Sequence, residues 1–148
     1  MKDYLKQENL KYSEENPDPE LNTFQFKIDH EATKLNIIIG QAKDQIHRIE
    51  VVSVVKFSPK HVDALEKAPE EEKQALANDL LFWLTLREPD QVPYYIVILP
   101  IYEGDLTLGN LMKSIRLVIK SSTIARRLIQ IRLNKYVKKK NNEVKSED

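Results

Sequence analysis

Residues 46–57 read IHRIEVVSVVKF and carry the longest strand signal of the chain. Val51 and Val55 fall on one face of the predicted strand, while Val52 and Val54 fall on the other. Alternation with period two, rich in β-branched residues, is typical of a strand. Because the middle of the segment is apolar on both faces, the sequence predicts a central strand that is covered on both sides.

Two shorter strands are predicted upstream of this segment. Apolar and polar residues alternate over residues 23–29 and again over residues 34–39. The connections, residues 30–33 and 40–45, are too short for a crossover helix. Antiparallel neighbours can be joined by such short turns, so the three strands predict an antiparallel meander.

Helices are predicted on both sides of the meander. A short, mostly polar helix is expected over residues 2–15. After the meander, Ser58-Pro59 supplies a capping hydroxyl and a proline at the first helical position, which predicts a helix to about residue 67. A second helix is predicted over residues 69–87, and a fourth strand over residues 94–101.

The element order predicts an α+β fold. An antiparallel sheet, made of a three-strand meander plus a later strand, is packed by helices in the order α-βββ-αα-β-α. At 148 residues and 41% hydrophobic content, the chain can bury a core without disulfides, and it has no cysteine. We expect one domain over residues 1–138 and a frayed or disordered polar tail over residues 139–148. Abundant Lys and Glu without Cys is typical of a heat-tolerant source.

Charge is segregated along the chain. Residues 1–105 carry 12 basic and 20 acidic side chains, a net charge of −8, whereas residues 106–148 carry 11 basic and 3 acidic side chains, a net charge of +8. Ten of these basic residues lie within residues 106–142, which contain no Asp or Glu. The basic end is expected to meet an acidic surface of the same chain, of a second copy or of a partner.

The last predicted helix, over residues 108–138, has two apolar faces. One face is expected to pack on the sheet, and it carries Leu111, Ile115, Val118, Ala125, Ile129, Leu133 and Tyr136. The other carries four aliphatic side chains, Leu117, Ile124, Leu128 and Ile131. Six basic residues surround this stripe: Lys113, Arg116, Lys120, Arg127, Lys135 and Lys138. Because one domain covers only one face of a peripheral helix, the second face predicts a contact with another chain. The alternative is an inert, partly exposed face.

The continuity of this helix is left open by the sequence. Hydroxyl side chains at Ser121, Ser122 and Thr123 can compete for backbone hydrogen bonds and break it. Unbroken, a helix from residue 106 to 138 is about 50 Å long. That length exceeds a compact domain, so such a helix must kink, project or lie along a partner.

Signals of catalysis and metal binding are missing from the sequence. His30, His47 and His61 lack the spacing of a helical metal site, and three glycines cannot build a phosphate-binding loop. We therefore expect that the protein is not an enzyme and binds no cofactor and no metal. The sequence leaves open a catalytic pair of carboxylates on neighbouring strands. A charged N-terminus without an apolar core and the lack of a membrane-length apolar run predict a cytoplasmic protein without a membrane span.

The sequence offers two further candidate sites. The basic helix could bind nucleic acid through phosphate contacts, although the chain is neutral overall and Tyr136 is the only aromatic after Tyr102. Trp83, Tyr94 and Tyr95 could line a second apolar groove or belong to the core.

Residues 101–119, IYEGDLTLGNLMKSIRLVI, and residues 51–81, VVSVVKFSPKHVDALEKAPEEEKQALANDLL, together resemble an archaeal family of uncharacterised proteins with the type III secretion chaperone-like fold. The likeness covers roughly residues 22–120. It implies a homodimer in many relatives and a surface that holds an extended segment of a client protein; it implies no catalytic residue. The chain departs from that pattern in its basic last helix and in showing one strand between residues 93 and 103, where those chaperones have two. We therefore expect a non-enzymatic, chaperone-like protein-binding module that acts as a homodimer.

Overall fold

The computed structural model describes residues 1–14, 22–42, 47–83, 86–87 and 94–143. Only the backbone is described at residues 22–23, 42, 81–83, 86–87, 94–95 and 138–143. Its elements in chain order are α1 (Lys2–Gln7), β1 (Tyr12–Glu14), β2 (Asn22–His30), β3 (Leu35–Ala42), β4 (Arg48–Lys56), α2 (Pro59–Lys67), α3 (Glu70–Trp83), β5 (Leu86–Arg87), β6 (Tyr94–Tyr102) and α4 (Leu108–Glu143). A 3-10 turn, Glu103–Asp105, connects β6 to α4.

The described strands form one antiparallel sheet in the order β1-β2-β3-β4-β6-β5. β2, β3 and β4 are the predicted meander, and β6 is the later strand, pairing with β4 from Arg48↔Tyr102 to Lys56↔Tyr94. The α+β class and the predicted order are confirmed. The short strands β1 and β5 are additions, one at each edge of the sheet. β5 falls within the helix predicted over residues 69–87, so that prediction is wrong at Leu86–Arg87.

The N-terminal helix is shorter than predicted. α1 ends at Gln7, and Asn9 adopts a left-handed φ of 52°, a conformation that asparagine accepts more readily than most residues. The chain then reverses into β1, where Tyr12 pairs with Ile28. The rings of Tyr12 and Phe26 also form a nearly perpendicular, edge-to-face pair, with centroids 5.6 Å apart. The helix predicted over residues 2–15 is therefore wrong beyond Gln7.

The core lies between one face of the sheet and α4. β4 buries alternate residues, so that Val51, Ser53 and Val55 face inward. α4 contacts β3, β4 and β6, and it also packs against α2 and α3. Its inward side chains are buried at helical spacing: Leu111, Ile115, Val118, Ser122, Ala125, Ile129 and Leu133. The predicted sheet-packing face of the last helix is thus the observed one.

The opposite face of the sheet, called here the open face, has no helix of the described residues packed on it. Val52 and Val54 point to this face and are only half-buried. Their apolar neighbours lie on the adjacent strands, with Val52 between Ile38 and Ile98 and Val54 opposite Ile96. The prediction that this strand is covered on both sides is therefore wrong for the described chain: cross-strand contacts shield these valines.

α4 is continuous through the three hydroxyl residues that could have broken it. Thr123 Oγ1 donates to the carbonyl of Ile119 at 2.8 Å, a bond that leaves the helix intact. Ser122 is fully buried on the inward face, and its hydroxyl has no hydrogen-bond partner among the described residues. α4 extends to Glu143, beyond the predicted end at residue 138, while residues 144–148 lie outside the described chain. The assignment of residues 139–148 to a tail stays a prediction.

Candidate interaction surface

The outward side of α4 carries the predicted stripe, but its four members differ in exposure. Leu117 is 42% exposed and Ile131 is 63% exposed, and both are among the few large apolar side chains at the described surface. Ile124 is half-buried and lies outside the core cluster. Leu128 is half-buried and packs against that cluster, so it serves its own subunit. We call Leu117, Ile124 and Ile131 the outer stripe; these residues recur every seven positions.

Basic side chains flank the outer stripe as predicted. Lys113, Arg116, Lys120 and Arg127 are all exposed, and none of them forms an ion pair with a residue that the structure describes. The side chain of Lys138 lies outside the described residues. Positive charge next to exposed apolar surface is the combination expected of a site for an acidic, amphipathic partner.

Lys135 differs from the other predicted rim residues because it binds within its own chain. Its Nζ lies 2.7 Å from Glu72 Oε1 on α3, and Arg132 binds Asp79 one helix turn along. The hydrogen bond from Lys135 lowers the pKa of Glu72, and the same bond raises the pKa of Lys135. Part of the basic segment thus meets an acidic surface of the same chain, the first of the three possibilities that charge segregation left open.

A cleft extends the surface from the start of α4 to the edge of β6. It has a volume of about 250 Å³ and lies between Leu99–Tyr102 on β6 and Asn110–Leu117 on α4. Tyr102, which is 56% exposed, and Leu117 both line it. Tyr102 was not predicted as a site residue. The sequence feature that could have indicated it is its position at the end of the alternating strand, directly before the turn Glu103–Asp105.

The edge of β6 beside this cleft is only partly paired by the described chain. β5 pairs with β6 at two positions alone, Leu86↔Val97 and Arg87↔Ile96. The cleft lies further along β6, at residues 99–102. An edge of this kind can accept an extended segment as an additional strand.

The second predicted site, an apolar groove, depends on side chains that the structure does not describe. The side chains of Trp83, Tyr94 and Tyr95 lie outside the described residues, so the groove predicted there stays a prediction. The histidines are far from a shared site: His30 contacts Thr33, His47 contacts Glu103 at 3.1 Å, and His61 is buried. Within the described helices, none is long and apolar enough to cross a bilayer.

Comparison with known proteins places the chain in a family. Residues 1–129 match the family of uncharacterized conserved proteins DUF2299, and the chain belongs to that family. A crystal structure of an uncharacterized protein from Methanothermobacter thermautotrophicus has the same fold, with a TM-score of 0.76 and 21% sequence identity. That similarity covers 89% of this chain and 95% of the other chain. No curated protein matches significantly. Membership of an uncharacterised family is therefore confirmed, and this structural neighbour comes from an archaeon. The type III secretion chaperone-like fold that the resemblance implied stays a prediction.

Proposed function

We propose that the protein is a non-enzymatic protein-binding module whose outer stripe binds an acidic, amphipathic segment of a client protein. The observation that carries the proposal is the position of Leu117 and Ile131. Both are exposed on a helix whose other face is fully used by the core, and both lie in one line with Ile124. Burying these side chains against a partner contributes favourably, at about 25 cal/mol per Å² of apolar surface.

Charge favours an acidic client over a second copy on this surface. A symmetric pairing of two α4 helices about Ile124 would bring the basic rim of one chain against the basic rim of the other. Such a contact is penalised by like-charge repulsion, whereas Glu and Asp side chains on a client would neutralise Lys120, Arg127 and their neighbours. The outer stripe therefore fits a partner with a different charge from its own.

The cleft beside β6 supports a client that continues in extended form. Tyr102 and Leu117 would contact its side chains, and the β6 edge would supply backbone hydrogen bonds except at Pro100, which has no N–H to donate. This mode resembles the holding of an extended client segment implied by the likeness to secretion chaperones. The same likeness supports a chaperone-like homodimer, which we propose as the assembly state.

A binding measurement with two synthetic helical peptides tests the proposal. One peptide carries leucines at heptad spacing flanked by glutamates, and the other has lysines in place of the glutamates. Fluorescence anisotropy is expected to show binding of the acidic peptide only. Replacing Leu117 and Ile131 with serine is expected to weaken that binding at least about tenfold. This corresponds to a loss of at least about 1.4 kcal/mol of binding free energy. Equal binding of both peptides would refute the role of charge.

A matched pair of charge variants identifies the surface. Lys120→Glu with Arg127→Glu reverses two charges of the rim, while Lys60→Glu with Lys67→Glu makes the change on two exposed lysines of α2. Only the rim variant should lose the acidic peptide. If the α2 variant loses it equally, the attraction is a general charge effect and the proposed surface is wrong.

Nucleic acid is the second candidate, favoured by one specific observation. The four exposed cations from Lys113 to Arg127 have no described carboxylate partner and extend over about 21 Å of helix. A titration with duplex DNA and with RNA at low salt tests it. Binding whose logarithm falls linearly with the logarithm of salt concentration would support this candidate, and no binding at low salt would remove it.

A further inference from the structure

A second cleft lies at one end of the open face, away from the outer stripe. It has a volume of about 270 Å³, and its lining includes four cations: Lys27 of β2, Lys34 of the β2–β3 turn, Lys56 of β4 and Arg126 of α4. No carboxylate lines it. Two strands, a turn and a helix thus bring positive charge to one cavity, although these elements are separated in sequence.

Most of this charge is not neutralised within the described chain. Lys27 has a carboxylate nearby, since its Nζ lies 3.6 Å from the largely exposed Asp29. Lys34, Lys56 and Arg126 form no ion pair with any described residue. Like charges around one cavity repel each other, and the resulting positive potential attracts an anion.

The turn that carries Lys34 is held in place from α4. The guanidinium of Arg126 donates to the carbonyl of Thr33 at 2.7 Å and to that of Lys34 at 3.2 Å. Lys34 adopts a left-handed φ of 52°, which lysine seldom does and which persists where surrounding contacts fix it. Two bonds use only part of the five donors of a guanidinium, so Arg126 can hold the turn and still donate into the cleft. The guanidinium of Arg126 and the backbone of the Lys34 turn are therefore held together at one side of the cleft.

The rest of the lining is apolar or neutral. Ile38 and Val54 are half-buried on the open face, and Asn36 lies beside them with an amide that can both donate and accept. The cavity is smaller than the range of about 300–1,000 Å³ typical of drug-sized ligands. Its contents should thus be small, with an anionic group at the cations and an apolar group on the two aliphatic side chains.

We propose that this cleft binds a small organic phosphate. Lys27, Lys34, Lys56 and Arg126 face the phosphate group, and Ile38 and Val54 contact the organic part. We favour a phosphate group because several cations surround one cavity and a phosphate monoester carries more negative charge than a carboxylate, which carries only one. This site does not depend on the proposed client surface, since the two share no residue.

Calorimetric titration of the full chain with phenyl phosphate, inorganic phosphate, benzoate and phenol tests the proposal. Phenyl phosphate is expected to bind more tightly than inorganic phosphate, and phenol is not expected to bind. In amide NMR spectra, phenyl phosphate should shift the signals of Lys34, Asn36 and Ile38. Benzoate binding as tightly as phenyl phosphate would overturn the assignment to phosphates, and no binding of either phosphate at millimolar concentration would overturn the site.

Matched variants test whether the cations are responsible. Lys34→Gln with Lys56→Gln is expected to weaken phenyl phosphate binding at least about tenfold, because two charge-assisted contacts are lost. The control, Lys60→Gln with Lys67→Gln, removes the same charge from α2 and should retain the affinity. Equal losses in the two variants, or no loss in the first, would overturn the proposal. Thermal unfolding of both variants without ligand confirms that they are folded.

Discussion

Replacing Ser122 with alanine should stabilise the protein, although it removes a polar group from the middle of the longest helix. Ser122 is fully buried on the inward face of α4, and its Oγ has no hydrogen-bond partner among the described residues. Folding therefore removes the hydroxyl from water without giving it a new bond. Alanine avoids that cost and also has the highest helix propensity.

The expected gain can be worked out from two contributions. An unsatisfied buried hydroxyl costs about 1–3 kcal/mol in protein mutational data. Exchanging serine for alanine inside a helix adds about 0.5 kcal/mol. Together they predict that Ser122→Ala raises the free energy of unfolding by about 2 kcal/mol. For a chain of this size, that corresponds to an increase in Tm of about 4–8 °C.

Ser121→Ala is the matched control. Ser121 is the preceding residue of the same helix but is only half-buried, so it should show the propensity gain of about 0.5 kcal/mol and little more. Urea unfolding of the two variants, followed by circular dichroism, gives both free energies. Equal stabilities of the two variants, or a less stable Ser122→Ala, would refute the reasoning that the buried hydroxyl is unsatisfied.

Three further predictions concern the surface, an ion pair and a buried histidine. Ile124→Glu should weaken binding of the acidic peptide at least about tenfold. Light scattering should still give the mass of a dimer for this variant. If the variant is a monomer, the outer stripe binds a second copy of the chain instead. Lys135→Gln should raise the pKa of Glu72 toward its ordinary value, which carbon-detected NMR measures. Because folding lowers the pKa of Glu72, the ion pair stabilises the folded protein at pH values above the ordinary carboxylate pKa, and this stabilisation is lost as the pH falls. An unchanged pKa of Glu72 in the variant would contradict the contact. Asn134→Leu should destabilise by about 1–2 kcal/mol in urea unfolding, since His61 Nε2 loses its acceptor 3.1 Å away; wild-type stability would show that this bond contributes nothing.

The sheet could be predicted largely from local patterns. Period-two alternation identified β2, β3, β4 and β6, because each is long enough for the pattern to repeat. β1 and β5 contain three and two residues, which is too short for such a signal. The left-handed Asn9 that ends α1 also could not be foreseen, since asparagine is compatible with both a helix and a turn.

The exposed stripe on α4 was predictable in position but not in composition. Heptad spacing located the outer stripe on the correct side of α4. It could not show that Leu128 packs on its own core or that Lys135 binds Glu72, because both facts depend on where the rest of the chain lies. The phosphate cleft required more still: the strand register decides that Lys27 and Lys56 share a face, and no local pattern contains that information.

The order of the elements along the chain has a consequence during synthesis. Every strand of the sheet precedes α4, yet α4 covers the inner face of β3, β4 and β6. In a nascent chain, the apolar inner face of the partly or fully formed sheet is therefore exposed to solvent until α4 has left the ribosome. The polypeptide is most prone to aggregate during that interval, and any pause in translation before Leu108 would lengthen the interval.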